Sequence, residues 1–120
     1  MEKFSVTRTD KGAVTLLSLN GFLDAHTAPA FENALKTLMN EKRYAIVVDM
    51  SELEYISSAG MGIFMGFIEE VRENQGDIKF CCVNPRVYKV FDLLGFPNIF
   101  EFYATREEAI GQFKNIRDHS

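Results

Sequence analysis

The run Tyr44–Met50, YAIVVDM, leaves this chain few architectures to choose from. It is apolar without alternation, rich in β-branched residues and flanked by charge, which is the pattern of a strand buried on both faces. Such a strand belongs in the centre of a sheet. Downstream, Met61, Phe64, Met65, Ile68 and Val71 recur at helical spacing while polarity returns at Glu69, Glu70 and Glu73, so an amphipathic helix follows. Between strand and helix lies YISSAGMG, residues Tyr55–Gly62, with two adjacent serines.

The flanking segments supply further elements. Phe4–Thr9 alternates apolar and polar residues, Asp10–Gly12 supplies a turn, and Ala13–Leu19 reads as a second strand, so the chain opens with a hairpin. After Gly21, Thr27 is the predicted N-cap of a first helix, with Pro29 in its first turn and Phe31, Leu35 and Leu38 as its apolar stripe. The second helix is expected to end near Asn74-Gln75-Gly76, with Gly76 taking the positive φ of a C-terminal cap. Asp77–Val83 reads as another buried strand. Asn84-Pro85 then starts a short third helix with Val87, Val90, Phe91 and Leu94 as its core stripe, closed by Gly95. A last strand is expected over Ile99–Tyr103. Thr105 and Glu108 form a T-x-x-E capping box ahead of a helix carrying Ala109, Ile110, Phe113 and Ile116.

The order β-β-α-β-α-β-α-β-α predicts a single α/β domain over residues 1–120: an N-terminal β-hairpin, then alternating βα units, with a mixed, mostly parallel sheet and four helices. A chain of 120 residues suits one core that buries roughly two-thirds of the unfolded chain's surface. Its 47% hydrophobic and 25% charged content separates it from disordered chains. The formal charge of -4, with no basic cluster, disfavours nucleic acid as a partner, because that affinity rests on neutralised phosphates. Apolar stretches fall short of the roughly 20 residues a membrane span needs, and MEKFSVTRTD lacks the apolar region of a secretory signal. The expected location is therefore the cytoplasm, without a membrane partner. Cys81 and Cys82 are adjacent, a spacing that points to neither a metal site nor a disulfide framework, and they read as reduced core thiols. With His26 and His119 as the two histidines, a histidine-rich metal site is excluded, and no cofactor is expected.

In a parallel α/β sheet, function gathers where strands end and helices begin, and Tyr55–Gly62 reads as such a loop. The first N–H groups of a helix lack intrahelical partners, and the helix dipole places partial positive charge beside them. A serine there acts as an N-cap, worth about 1 kcal/mol, or accepts a phosphate whose charge of about -1.5 to -2 the helix start favours. Ser57 and Ser58 are each candidates for either part. Gly60 and Gly62 lower helix propensity by roughly 1 kcal/mol each relative to alanine, and they read as keeping the helix start open to a closely approaching partner.

Four motifs occur together: G-x-L-D at 21–24, D-x-S at 49–51, S-S-x-G-x-G at 57–62 and V-x-x-V-F-x-x-x-G at 87–95. Their combination resembles the STAS-domain family of bacterial anti-sigma factor antagonists over nearly the whole chain. That resemblance implies a binding module rather than an enzyme. An unphosphorylated member engages an anti-sigma factor with serine-kinase activity and so indirectly liberates a sigma factor; the kinase inactivates it by phosphorylating one serine, and a phosphatase is a further candidate partner. The family's D-S-S/T-G-L-G puts the acceptor on Ser58, with Gly60, Met61 and Gly62 matching the following G-L-G. Ser57, the alternative acceptor, stands where many members have Asp, and Ala59 where many have a second Ser or Thr.

Asp24 matches the family's acidic residue near this loop; its other reading is a cap for backbone N–H groups ahead of Thr27. The resemblance thus implies a docking surface of Asp24, His26, Thr27, Ser57, Ser58, Ala59, Gly60 and Met61, with Asp49, Ser51 and Gly62 structuring loops. Met61 and Phe64 also read as core from their spacing, and His26 as a solvated loop residue. Two other readings are a non-switching scaffold subunit of the same fold and a response-regulator receiver phosphorylated on Asp49. The receiver would need an acidic pair after the first strand, which the hairpin lacks. A serine hydrolase would need a G-x-S-x-G elbow, which is absent from the sequence.

Overall fold

The computed structural model describes residues 4–113. Its elements are β1 (Phe4–Lys11), β2 (Val14–Leu23), α1 (Ala28–Asn40), β3 (Ala45–Ile56), α2 (Ser58–Glu73), β4 (Asp77–Cys81), α3 (Pro85–Leu93), a 3-10 turn (Phe96–Asn98), β5 (Phe102–Tyr103) and α4 (Arg106–Gly111). The strands lie in the order β1-β2-β3-β4-β5, with β1 antiparallel to β2 and every other neighbouring pair parallel. This is the mixed, mostly parallel sheet with four helices that the element order predicts.

The central strand separates two apolar layers. Ile46, Val48 and Met50 enter the main core with Phe31 and Leu35 of α1, Phe64 and Ile68 of α2, and Val87 and Phe91 of α3. Ala45 and Val47 face the other way and pack with Ala109 of α4 and with Phe113 just beyond it. Phe64 sits at the middle of the larger layer, its ring centroid 5.1 Å from Phe31 and 4.8 Å from Phe80. Burying a ring of this kind contributes about 1.5–3 kcal/mol, so α2 is anchored at the second turn after its start.

Both long strands run further than the sequence suggests. β2 continues to Leu23 and β3 to Ile56, and their last residues pair with each other across two register shifts. Those irregularities are why no period-two pattern marks the extension: Leu53 and Ile56 are buried at a spacing of three, amid exposed Ser51, Glu52, Glu54 and Tyr55. The expected loop over Tyr55–Gly62 therefore does not exist. Ser57 alone separates strand from helix.

Smaller differences have local causes. β1 runs through Asp10 to Lys11, and Gly12 turns the chain at φ +64°. At the end of α2 the left-handed conformation falls on Gln75, at φ +65°, rather than on Gly76. Gly76 is required for another reason, since a Cβ there would lie 2.1 Å from the Tyr44 carbonyl oxygen. In α3, Val87 and Phe91 are buried but Val90 and Leu94 are exposed, and Met65 is likewise exposed on α2. The expected last strand shrinks to two residues, because Phe96–Asn98 form the 3-10 turn instead. Gly95 closes α3 at φ +78°, Asn84 caps it through Val87 N–H at 2.9 Å, and the Thr105–Glu108 capping box forms. The predicted core residue Ile116, and His119, lie outside the described residues.

Candidate functional site

Of the two parts that the sequence left open between the serines, the cap falls to Ser57. Ser57 is the N-cap of α2: it is extended, at φ -99° and ψ 173°, and its Oγ accepts from Gly60 N–H at 3.3 Å. Its carbonyl accepts from Met61 N–H at 3.0 Å. Ser58 is the first helical residue, it is exposed, and its hydroxyl has no hydrogen-bond partner among the described residues. An activated nucleophile needs a side chain placed to take its proton, and none of the described residues bonds the Ser58 hydroxyl. It is an alcohol held at the positive end of a four-turn helix.

The start of α2 is fastened to the end of β2, since Ser57 N–H donates to Leu23 O at 2.9 Å. The next residue is Asp24, where the chain turns into α1. Asp24 Oδ1 accepts from His26 N–H at 2.9 Å and from Thr27 N–H at 3.2 Å, as its backbone-capping reading required. Partial burial pushes this carboxyl up, but the Thr27 and His26 N–H groups and the His26 charge outweigh it, leaving it below the ordinary carboxylate range. Thr27 stands at the N-cap position of α1, as predicted, but its side chain makes no capping hydrogen bond. Its backbone is already helical, at φ -100° and ψ -14°, and its hydroxyl turns back to donate to Phe22 O at 2.7 Å and accept from Asp24 N–H at 2.9 Å. It ties the loop rather than the helix. His26 is exposed on the same loop.

Three site residues need correction. Met61 is 3% exposed and belongs to the main core, so it offers a partner no surface. Gly60 is buried too: a Cβ there would lie 2.8 Å from Leu23 Cγ and 3.1 Å from Ile56 Cγ1. Its missing side chain lets α2 sit against the strand ends and does not open a path to Ser58. Gly62 lies inside α2 on its exposed side, with nothing within 4 Å of its Cβ position, and so structures no loop. Ala59 is exposed beside Ser58.

Asp49 lies inside β3 rather than at the strand end where a loop-structuring role was expected, and its bonds run within the strand and across to α4. One carboxylate oxygen accepts from Ser51 N–H at 2.8 Å and the other from Arg106 Nε on α4. Asp49 is 2% exposed, so its carboxylate is a counterion for Arg106 rather than a surface group. Ser51 contributes through its backbone, and its side chain is exposed.

Sequence reasoning missed the aromatic residues beside the serine. Phe22 and Tyr55 are register partners on β2 and β3, 43% and 49% exposed, with ring centroids 6.0 Å apart. They precede Asp24 and Ser57 by two residues each, so the pair lies at the strand ends that carry the loop and the helix start. An aromatic at an expected loop position carries no visible signal. Only the strand extension shows that the two rings meet.

Fold and site define the class. A family model described as the STAS domain matches residues 5–109, and the chain belongs to that family. Among its relatives is BtrV of Bordetella bronchiseptica, provisionally named an anti-sigma factor antagonist. It is 32% identical over 96 residues, covering 80% of this chain and 83% of BtrV. The crystal structure of an anti-sigma factor antagonist from Mycobacterium paratuberculosis matches with a TM-score of 0.84 at 25% identity, over 92% of this chain and 93% of that one. The unphosphorylated form of the anti-sigma factor antagonist SpoIIAA matches with a TM-score of 0.81 at 23% identity, over 92% and 97% of the two chains. The phosphorylated form of Bacillus SpoIIAA matches at 0.73 and 22%, over 92% and 100%. At the SpoIIAA identities the likeness is one of fold. No described helix is long and apolar enough to cross a membrane.

Proposed function

We propose that this protein is an anti-sigma factor antagonist switched by phosphorylation of Ser58. Unphosphorylated, it docks an anti-sigma factor with serine-kinase activity over the Asp24–Thr27 loop, the Phe22–Tyr55 pair and the exposed first turn of α2 at Ser58 and Ala59. The sigma factor held by that partner is then released. The kinase phosphorylates Ser58, the complex is lost, and a phosphatase with access to the exposed residue resets the protein.

The observation that carries this reading is the unequal use of the two serines. Ser57 Oγ is occupied as a cap, and Ser58 Oγ is exposed and unbonded among the described residues. A phosphate on Ser58 breaks no hydrogen bond of the described fold and sits at the positive end of α2, so the fold tolerates it. The docked complex does not. A surface that has closed over a hydroxyl would have to bury a dianion, near the already ionised Asp24, with no partner for its charge. A loss of about 4 kcal/mol is roughly a thousandfold in affinity.

The test is phosphorylation by purified serine kinases of the source cell, with the modified residue located by mass spectrometry in wild-type, Ser57→Ala and Ser58→Ala proteins. Incorporation that disappears with Ser58→Ala and survives Ser57→Ala supports the reading. Incorporation that disappears only with Ser57→Ala moves the acceptor to Ser57, and none at all leaves a non-switching docking domain.

A further inference from the structure

Adjacent residues of a regular strand point to opposite faces, so Cys81 and Cys82 should not meet. They do, because Cys82 has φ +62°, a left-handed conformation that residues with a Cβ seldom adopt. Its N–H remains in the sheet, donating to Tyr103 O at 3.1 Å, while its side chain joins Cys81 on the α4 face. Asp49 is the register partner of Cys81 on β3. One ligand atom from each of Asp49, Cys81 and Cys82 lies within 4.8 Å of the others. Adjacent cysteines match no metal-site spacing in the sequence, and it is the left-handed residue that brings the two side chains to one face.

We propose that Cys81, Cys82 and Asp49 form a binding site for a thiophilic divalent cation of the zinc or cadmium class. Two sulfurs and one carboxylate oxygen are a donor set that zinc accepts, with metal–sulfur bonds of about 2.3 Å and metal–oxygen bonds of about 2.0–2.2 Å. Tetrahedral bonds of those lengths put donors roughly 3.5–3.8 Å apart, so the three groups have about 1 Å to close by side-chain rotation. The charges also balance: two thiolates, one carboxylate, one divalent cation and the guanidinium of Arg106 sum to zero beside the apolar wall of Val47, Ala109 and Phe113.

Arg106 and Ser51 N–H already orient the Asp49 carboxylate, in the way that outer partners fix a metal-binding group. Cys81 is buried, whereas Cys82 is partly exposed and gives the ion its way in from solvent. On binding, each thiol releases its proton to water as a sulfur–metal bond forms, and nothing is oxidised or reduced.

The experiment titrates the reduced full chain with Cd²⁺ and follows the ultraviolet charge-transfer band of cadmium–thiolate bonds, then displaces Cd²⁺ with Zn²⁺. The expected result is saturation at one cation per chain with the intensity of two thiolates. Cys82→Ser, at a partly exposed position, should halve the band and weaken affinity at least about tenfold. Cys81→Ala should do the same, and Zn²⁺ should abolish the wild-type band. No band at stoichiometric cadmium in the wild type would overturn the proposal, whatever the variants do. So would a band that Cys82→Ser leaves intact, or saturation at one cation per two chains, which would mean an intermolecular bridge.

Discussion

Replacing the two serines one at a time separates the cap from the proposed acceptor. Ser57 Oγ holds Gly60 N–H at 3.3 Å, a long bond, so Ser57→Ala removes a cap worth about 1 kcal/mol, toward the lower part of the usual range. Ser58 Oγ holds no described group, and alanine is the better helix former by roughly 0.5 kcal/mol. For 120 residues the unfolding entropy near the midpoint is about 250 cal/mol/K, so 1 kcal/mol corresponds to about 4 °C in Tm. Thermal unfolding followed by circular dichroism should show Ser57→Ala melting about 4 °C below wild type. Ser58→Ala should melt within about 2 °C of it, on the upper side. Stoichiometric phosphate on Ser58 should raise Tm by a few degrees, since charge at a helix start contributes about 1 kcal/mol. If Ser58→Ala lowers Tm as much as Ser57→Ala does, the Ser58 hydroxyl is holding the helix start and is not free to be a switch.

If the proposed docking surface is right, Phe22→Ala and Tyr55→Ala should each weaken binding to the proposed anti-sigma kinase by about 2 kcal/mol, roughly 30-fold, in calorimetric titration, while Tm falls by much less than a core truncation would cause. Equal loss of stability and affinity would make the pair structural. Arg106→Ala leaves the Asp49 carboxylate buried without its cation; because Arg106 is itself 46% exposed, the expected cost is about 1–2 kcal/mol rather than that of a fully buried pair, and adding Asp49→Asn should recover part of it. Lys79, with help from Tyr103, holds the Glu101 carboxyl below the ordinary glutamate range. A carboxyl depressed on folding stabilises the native state above its unfolded pKa and loses that contribution as pH falls through the folded value. The Tm gap between wild type and Glu101→Gln should therefore be constant near neutrality and close as pH drops below about 4.5; a gap that widens on acidification would reverse the assigned sign.

Elements were legible in the sequence wherever one physical cause acted alone. YAIVVDM is apolar on both sides because helices cover both sides, and the α1, α3 and α4 segments announce themselves through Pro29, Asn84-Pro85 and Thr105–Glu108. The reading failed where two causes overlap. The ends of β2 and β3 pair through register shifts, so Leu53 and Ile56 break the two-residue period and the segment looks like loop. Gly60 and Gly76 were assigned to partner access and to a positive φ; both are instead needed for close packing, against Leu23 and Ile56 and against the Tyr44 backbone. Motif matching put Ser58 and Asp24 in roles that the geometry allows, but it could not tell which serine caps the helix. Arg106 and the Phe22–Tyr55 pair were out of reach, because each acts through a neighbour distant in the chain.

The most direct measurement is the dissociation constant between this protein and the proposed anti-sigma kinase, determined by calorimetry with the protein unmodified and then fully phosphorylated on Ser58. Tight binding of the first form and a loss of roughly a thousandfold in the second, with backbone NMR shifts confined to residues around the start of α2, is the expected result. Equal affinity of the two forms would contradict the switch, and shifts spread through the sheet would contradict its action on a rigid fold.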